Sequence, residues 1–338
     1  MVSSGEKNMS ENIQFIPKED LEYKVAPMGF SIGDNVGWGL LMCNIEKYWQ
    51  LSKGAGVLVG VLDTGIVDHT DLPQGKVWGT GLNCTGEDSF IDHGSGHGIH
   101  VSGIIGARED GQGIVGVAPE CTILPIKVLN RDGSGSYESI AKGIRAAIAA
   151  NCDILNLSLG SPSEPPQEIH DAIKEATNKG MIIVAAAGND GGDVCYPAKY
   201  EEVIAVAAMD RNGRIANFSS RGQRIAVAAP GVDIYSTHFN NGYATMSGTS
   251  QASPFITGIC ALLLSYSRSN PGVELIKGYV DMIRALNNLL AENPMKTADG
   301  YEYGVPNFIN VDPSKYKNVV VQVPMTPEEE ARLTEKLI

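Results

Sequence analysis

The run VLVGVLD at residues 57–63 is short and apolar, and it closes on a carboxylate followed at once by Thr64 and Gly65. Such a run is too brief for an ordinary helix, and Val and Leu on successive positions suit a strand buried on both faces. Four more runs share this character: ILPIKVL (123–129), DILNLSL (153–159), MIIVAAA (181–187) and VIAVAA (203–208). Amphipathic stretches lie between some of them. ESIAKGIRAAIAAN (138–151) sets Ile140, Ile144, Ala147 and Ile148 on one helical face, and EIHDAIKEATNK (168–179) does the same with Ile169, Ala172, Ile173 and Ala176. The alternation predicts an α/β fold in which a mostly parallel sheet lies between two helical layers, a three-layer α/β/α arrangement. Chemistry in such folds gathers at the carboxyl ends of strands, where Asp63 falls.

The chain of 338 residues is long enough for one large core. Its net charge of −13 and pI near 4.9 argue against a nucleic-acid partner. No run reaches the roughly 18 apolar residues of a membrane span, so no membrane partner is expected. The opening MVSSGEKNMSENIQ has no basic region leading into an apolar stretch and does not read as a secretory signal. Six cysteines, Cys43, Cys84, Cys121, Cys152, Cys195 and Cys260, lie scattered without CxxC spacing and read as free thiols in a reducing, cytoplasmic compartment. Residues 1–34 are polar and irregular and form an extension, 35–311 carry the alternating pattern, and 312–338 form an acidic tail. In that tail NVVVQV (318–323) reads as a strand, and Thr326, Pro327 and Glu329 as a helix-opening capping box.

Several stretches could carry chemistry, and singly each has a plain reading. Ser250 in GTSQASPFITG (248–258) is an N-cap or a nucleophile. Asn189 in AAAGND is a turn residue or a hydrogen-bond donor, and Asp63 is a cap or a catalytic carboxylate. His93, His97 and His100 in DHGSGHGIHVSGIIGA have spacings compatible with zinc, but glycines flank His97 and Asp92 is the one local carboxylate to join them. GQGIVG (111–116) matches the GxGxxG pattern, yet it follows a helix-like stretch, and Pro119 interrupts the helix a dinucleotide site needs. Together, an aspartate ending one strand, a histidine opening one helix and a serine opening another supply the parts of acyl transfer, with an asparagine for the oxyanion.

By context around each residue, the chain resembles the subtilisin family of serine proteases across about residues 35–311. VLDTGI is similar to the family's aspartate block at Asp63 and GHGIHVSG to its histidine block at His97. AAAGND is similar to its oxyanion-asparagine block at Asn189 and GTSQASP to its nucleophile block at Ser250. The resemblance implies a serine endopeptidase acting on polypeptides. VLNRDGSGSY would form one wall of the cleft, with Gly133 and Gly135 open to a peptide and Tyr137 at the rim, and LNLSLGS the other, around Ser158 and Gly160. GIIGAREDGQGIVGVAP aligns with the family's calcium loop. That implies a structural calcium held by the Asp110 carboxylate and the carbonyls of Arg108, Gln112 and Ile114, joined by Asp71.

The chain departs from the family at Gln251, where methionine is common, at Ser161 in place of glycine, and at Thr70 in place of proline. IQFIPKEDLEYKVAPMG resembles the short leader of intracellular subtilisins, which lies across the cleft and inhibits. Pro17, lacking an N–H, would spoil a cleavable register there. This implies that residues 1–26 act as an intramolecular inhibitor, that the enzyme is a zymogen and that it forms a homodimer. The alternative is a catalytically inactive, peptide-binding protein of the same fold.

Overall fold

All five apolar runs become strands of one sheet. The computed structural model describes residues 34–73, 81–290 and 302–308, with the backbone of short strands at 12–14, 24–26 and 294–296. The strands are β1 Asn12–Gln14, β2 Lys24–Ala26, β3 Leu58–Asp63, β4 Leu82–Asn83, β5 Thr122–Lys127, β6 Ser134–Ser136, β7 Ile154–Leu157, β8 Ile182–Ala186, β9 Val203–Met209, β10 Ile225–Pro230, β11 Ile234–His238, β12 Gly242–Met246, β13 Pro294–Lys296 and β14 Glu302–Gly304. The helices are α1 Trp38–Met42, α2 Ile45–Trp49, α3 His97–Gly106, α4 Tyr137–Ala149, α5 Gln167–Asn178, α6 Thr249–Ser269 and α7 Tyr279–Leu290. The tail readings at 318–323 and 326–329 lie outside the described residues.

The main sheet has the order β10-β9-β8-β7-β3-β5-β4, with every neighbouring pair parallel. From β3 the chain passes to the edge strand β4, returns by α3 to β5, and then crosses by α4 over β3 to β7. α3 and α4 both pack on β3 and β5, from opposite faces of the sheet, each against a different helix. α6 packs with α3 and α5 with α4, which completes the three layers. The helical faces read from the sequence are the buried ones: Ile140, Ile144, Ala147 and Ile148 on α4, and Ile169, Ala172, Ile173 and Ala176 on α5. Strand order reverses at β3, so a crevice opens at its carboxyl end, beside Asp63.

α6 runs through the interior, buried from Thr249 through Ser267. Its cap is Gly248, and Ser250 is its second residue, which corrects the reading of Ser250 as the cap. Two smaller pairings concern the extension. β2 adds antiparallel to the outer edge of the β11–β12 hairpin, and β1 pairs antiparallel with β6. Among the described residues no helix is long and apolar enough to cross a membrane.

Candidate active site

Four loops at the carboxyl edge of the sheet deliver the site. Asp63 is the last residue of β3 and His97 the first of α3. Both are buried, and His97 Nδ1 lies 2.7 Å from Asp63 Oδ1. The same Oδ1 accepts the Thr64 N–H at 2.8 Å, which holds the carboxylate in place.

Ser250 is fixed by its own helix. Pro254, four residues on, has no N–H to give to the Ser250 carbonyl. The Ser158 hydroxyl donates to that carbonyl instead, at 2.8 Å, and Ser250 Oγ lies 3.3 Å from the Ser158 carbonyl. Ser158 is in turn held by Asn156 Nδ2 at 3.0 Å, and the buried Asn156 Oδ1 accepts from Ser253 at 2.8 Å and Thr257 at 2.9 Å on α6. Sequence reasoning missed Asn156. A polar residue inside the apolar run 153–159 was its one signal.

Asn189 follows β8 through Gly188, whose φ of 115° is glycine's territory. Its Oδ1 accepts the Thr249 N–H at 2.9 Å and the Thr249 hydroxyl at 2.8 Å, serving the open N-terminus of α6 from outside. The amide nitrogen faces the other way. A Cβ placed on Gly248 would lie 3.3 Å from Asn189 Nδ2 and 3.6 Å from Ser250 N, so both donors border one patch of space beside Gly248.

The cleft walls also take shape. Gly133 closes a turn with a φ of 78°, and Gly135 sits in β6 opposite Ile13 of β1. Ser158 and Gly160 lie buried just past β7. Tyr137 stands elsewhere than expected. It is buried, not at the rim, and its hydroxyl donates to Ser161 Oγ at 3.4 Å, joining one wall to the other.

The three neighbouring histidines diverge. His93 Nε2 reaches Ser89 Oγ at 3.4 Å, His97 meets Asp63, and His100 Nε2 lies 3.1 Å from the carbonyls of both Ile234 and Ala244. Burial, with the neighbouring His97 and His238, pushes His100 down to about 3. Among the described residues no three His, Cys, Asp or Glu side chains gather into a metal-binding group. All six cysteines are free, and burial pushes the Cys43 and Cys152 thiols up to about 12, so neither is a nucleophile at neutral pH.

The glycines of 111–116 shape a loop around a carboxylate and begin no helix. Asp71 Oδ2 accepts the Ile114 N–H at 2.9 Å and the Tyr243 hydroxyl at 3.0 Å. Burial pushes the Asp71 carboxyl up. The Ile114 N–H opposes that, and the like charge of Asp110 adds to it. Asp110 Oδ1 accepts the Gln112 N–H at 3.0 Å, while its Oδ2 pairs with Arg108 Nε at 2.5 Å. Asp110 on this loop and Asp71 enclosed by it are two nearby carboxylates, a pair of oxygen donors that fits a hard cation.

Comparison with known proteins agrees with this geometry. Residues 54–295 match the subtilase family. The chain is 46% identical over 237 residues to subtilisin DY of Bacillus licheniformis, covering 68% of this chain and 85% of that protein. It is 43% identical over 237 residues to an intracellular serine protease of Paenibacillus polymyxa, covering 67% and 72% respectively. It is 38% identical over 271 residues to the minor extracellular protease Epr of Bacillus subtilis (strain 168), covering 79% of this chain but 41% of Epr. The chain therefore belongs to the subtilase family of serine proteases.

Proposed function

We propose that this subtilase is an endopeptidase in which Ser250 is the nucleophile, His97 the general base and Asp63 the carboxylate that orients it. The observation that carries the reading is the buried 2.7 Å contact between His97 Nδ1 and Asp63 Oδ1 at the carboxyl edge of the sheet. With Nδ1–H given to the carboxylate, Nε2 is the basic nitrogen of the ring. It takes the Ser250 proton as Oγ attacks the peptide carbonyl carbon, then passes that proton to the leaving amine. Water resolves the acyl-enzyme by the same route. Asn189 Nδ2 and the Ser250 N–H receive the oxyanion, and the α6 N-terminus favours its charge.

Polypeptides in extended form are the substrates. The antiparallel pairing of β1 with β6 supports this, because the edge at Ser134–Ser136 accepts a strand through main-chain bonds. The same pairing supports residues 1–26 as an intramolecular inhibitor lying where substrate would lie. Asp71 and Asp110, with the carbonyls of Arg108, Gln112 and Ile114, would hold calcium, which would neutralise two adjacent carboxylates. A cytoplasmic site of action fits the six free thiols and the likeness to an intracellular serine protease. A homodimer is the expected assembly, measurable by sedimentation.

The test is fluorophosphonate labelling, located by peptide mass, of the full chain and of a chain starting at Gly29, with Ser250→Ala as control. Label on Ser250 in the shorter chain alone supports both nucleophile and inhibitor. Equal labelling removes the inhibitor, and no label on a folded shorter chain leaves a groove that only binds peptides.

A further inference from the structure

Behind the proposed triad stands a carboxylate that the mechanism above does not use. Asp92 is 1% exposed, yet four donors converge on it. Its Oδ1 accepts the N–H groups of Gly94 at 3.0 Å and Ser95 at 2.9 Å. Its Oδ2 accepts the Gly96 N–H at 2.8 Å and the Thr64 hydroxyl at 2.6 Å. Thr64 follows Asp63 directly, and its Oγ1 accepts the Gly98 N–H at 3.0 Å.

Gly96 and Gly98 flank His97. The backbone on both sides of the base therefore hangs from one carboxylate–hydroxyl pair, and that pair is continuous with the residue after Asp63. Neither glycine has room to drift. Gly96 has a φ of 69°, and a Cβ on it would lie 2.3 Å from His238 Nε2. A Cβ on Gly98 would lie 2.1 Å from the Gly65 carbonyl oxygen. The Thr64 carbonyl is anchored too, by the fully buried Lys127, whose Nζ donates to it at 2.6 Å.

We propose that Asp92, acting through Thr64, is a positioning residue that sets His97 against Asp63. The proposal rests on the endopeptidase reading. Asp92 touches neither substrate nor reacting atoms. Its part is to fix the distance across which the Nδ1 hydrogen bond forms.

Asp92→Asn is the direct test, made in the full-length chain and assayed once residues 1–26 have been cut away, because either orientation of the new amide turns its NH2 toward a backbone N–H. We expect kcat on a peptide anilide to fall about 10- to 100-fold with KM within about twofold, since a displacement near 1 Å can cost about 100-fold. Thr64→Val should fall likewise, and Thr64→Ser, which keeps the hydroxyl, should return to within about threefold of the parent. The low-field proton resonance of His97 Nδ1–H should broaden or move upfield in Asp92→Asn and Thr64→Val and persist in Thr64→Ser. Rates are compared at a fixed interval below each variant's Tm. An unchanged resonance, or a kcat that returns to the parent value under that comparison, overturns the proposal. A parent chain that, with residues 1–26 cut away, still takes no fluorophosphonate at Ser250 removes the endopeptidase reading, and this one with it.

Discussion

Gln251 carries no sulfur, and Met246 Sδ, 3.9 Å from its Nε2, is buried. Hydrogen peroxide should therefore inactivate this enzyme slowly, and Gln251→Met should inactivate faster, with the added oxygen found at residue 251 by peptide mass. Rapid loss in the parent with no oxidation elsewhere would contradict this. Ser158 invites a second test. Because Pro254 offers no N–H, Ser158→Ala leaves the buried Ser250 carbonyl without its donor, a loss of about 1–3 kcal/mol by denaturant titration. In a Pro254→Ala background the restored helix N–H should shrink that loss, a coupling read from the double-mutant cycle. The residues assigned to chemistry were legible because each sits in a short local pattern. Ser158, Asn156 and Thr64 were not read for their present parts, since each acts through a partner far along the chain, as with Ser158 and Ser250, 92 positions apart.

α3 is joined to the β11–β12 hairpin by His100, whose Nε2 faces the carbonyls of Ile234 and Ala244. Its ordinary value is 6.5 and burial takes it to about 3 in the folded chain, so between those limits the unfolded chain binds the extra proton. Stability from this group is thus complete above pH 6.5 and is lost as pH falls, by about 2 kcal/mol at pH 5. Tm of His100→Gln, which can still donate to a carbonyl, should fall less steeply than the parent's between pH 7 and 5. Parallel slopes would count against the burial account. Elements differed in legibility for a physical reason. α4 and α5 each bury one face, so a period of 3.6 shows in the sequence, whereas α6 is enclosed on all sides and shows no period to read. The β11–β12 hairpin was missed because its turn residues, Asn240 and Asn241, bend backward at φ of 57° and 54° within a polar stretch that breaks no obvious apolar run.

At the scale of the whole molecule, the pairing of β3 with β7 sets Asp63, at the end of one strand, beside the end of the other, where Ser158 holds Ser250, so the order of strands is what brings such distant stretches of chain to one edge. With six free thiols, reducing agent should leave Tm unchanged, and a drop would reveal a crosslink absent from this fold. Chelation should lower Tm while leaving the rate in the first minutes intact. Calcium at a hundredfold excess over its Kd would contribute about 2.7 kcal/mol, and equal Tm with and without EGTA would exclude the ion. β1 has a consequence of a different kind, because on the proposed reading it belongs to the chain it inhibits. A tethered strand meets its groove at an effective concentration on the order of millimolar, whatever the protein concentration. Latency of this sort survives dilution, and the same strand supplied as a loose peptide at micromolar levels would be a far weaker inhibitor. Once one copy is cut, it can cut others, so activation should proceed with a lag that shortens as active enzyme is seeded into the sample.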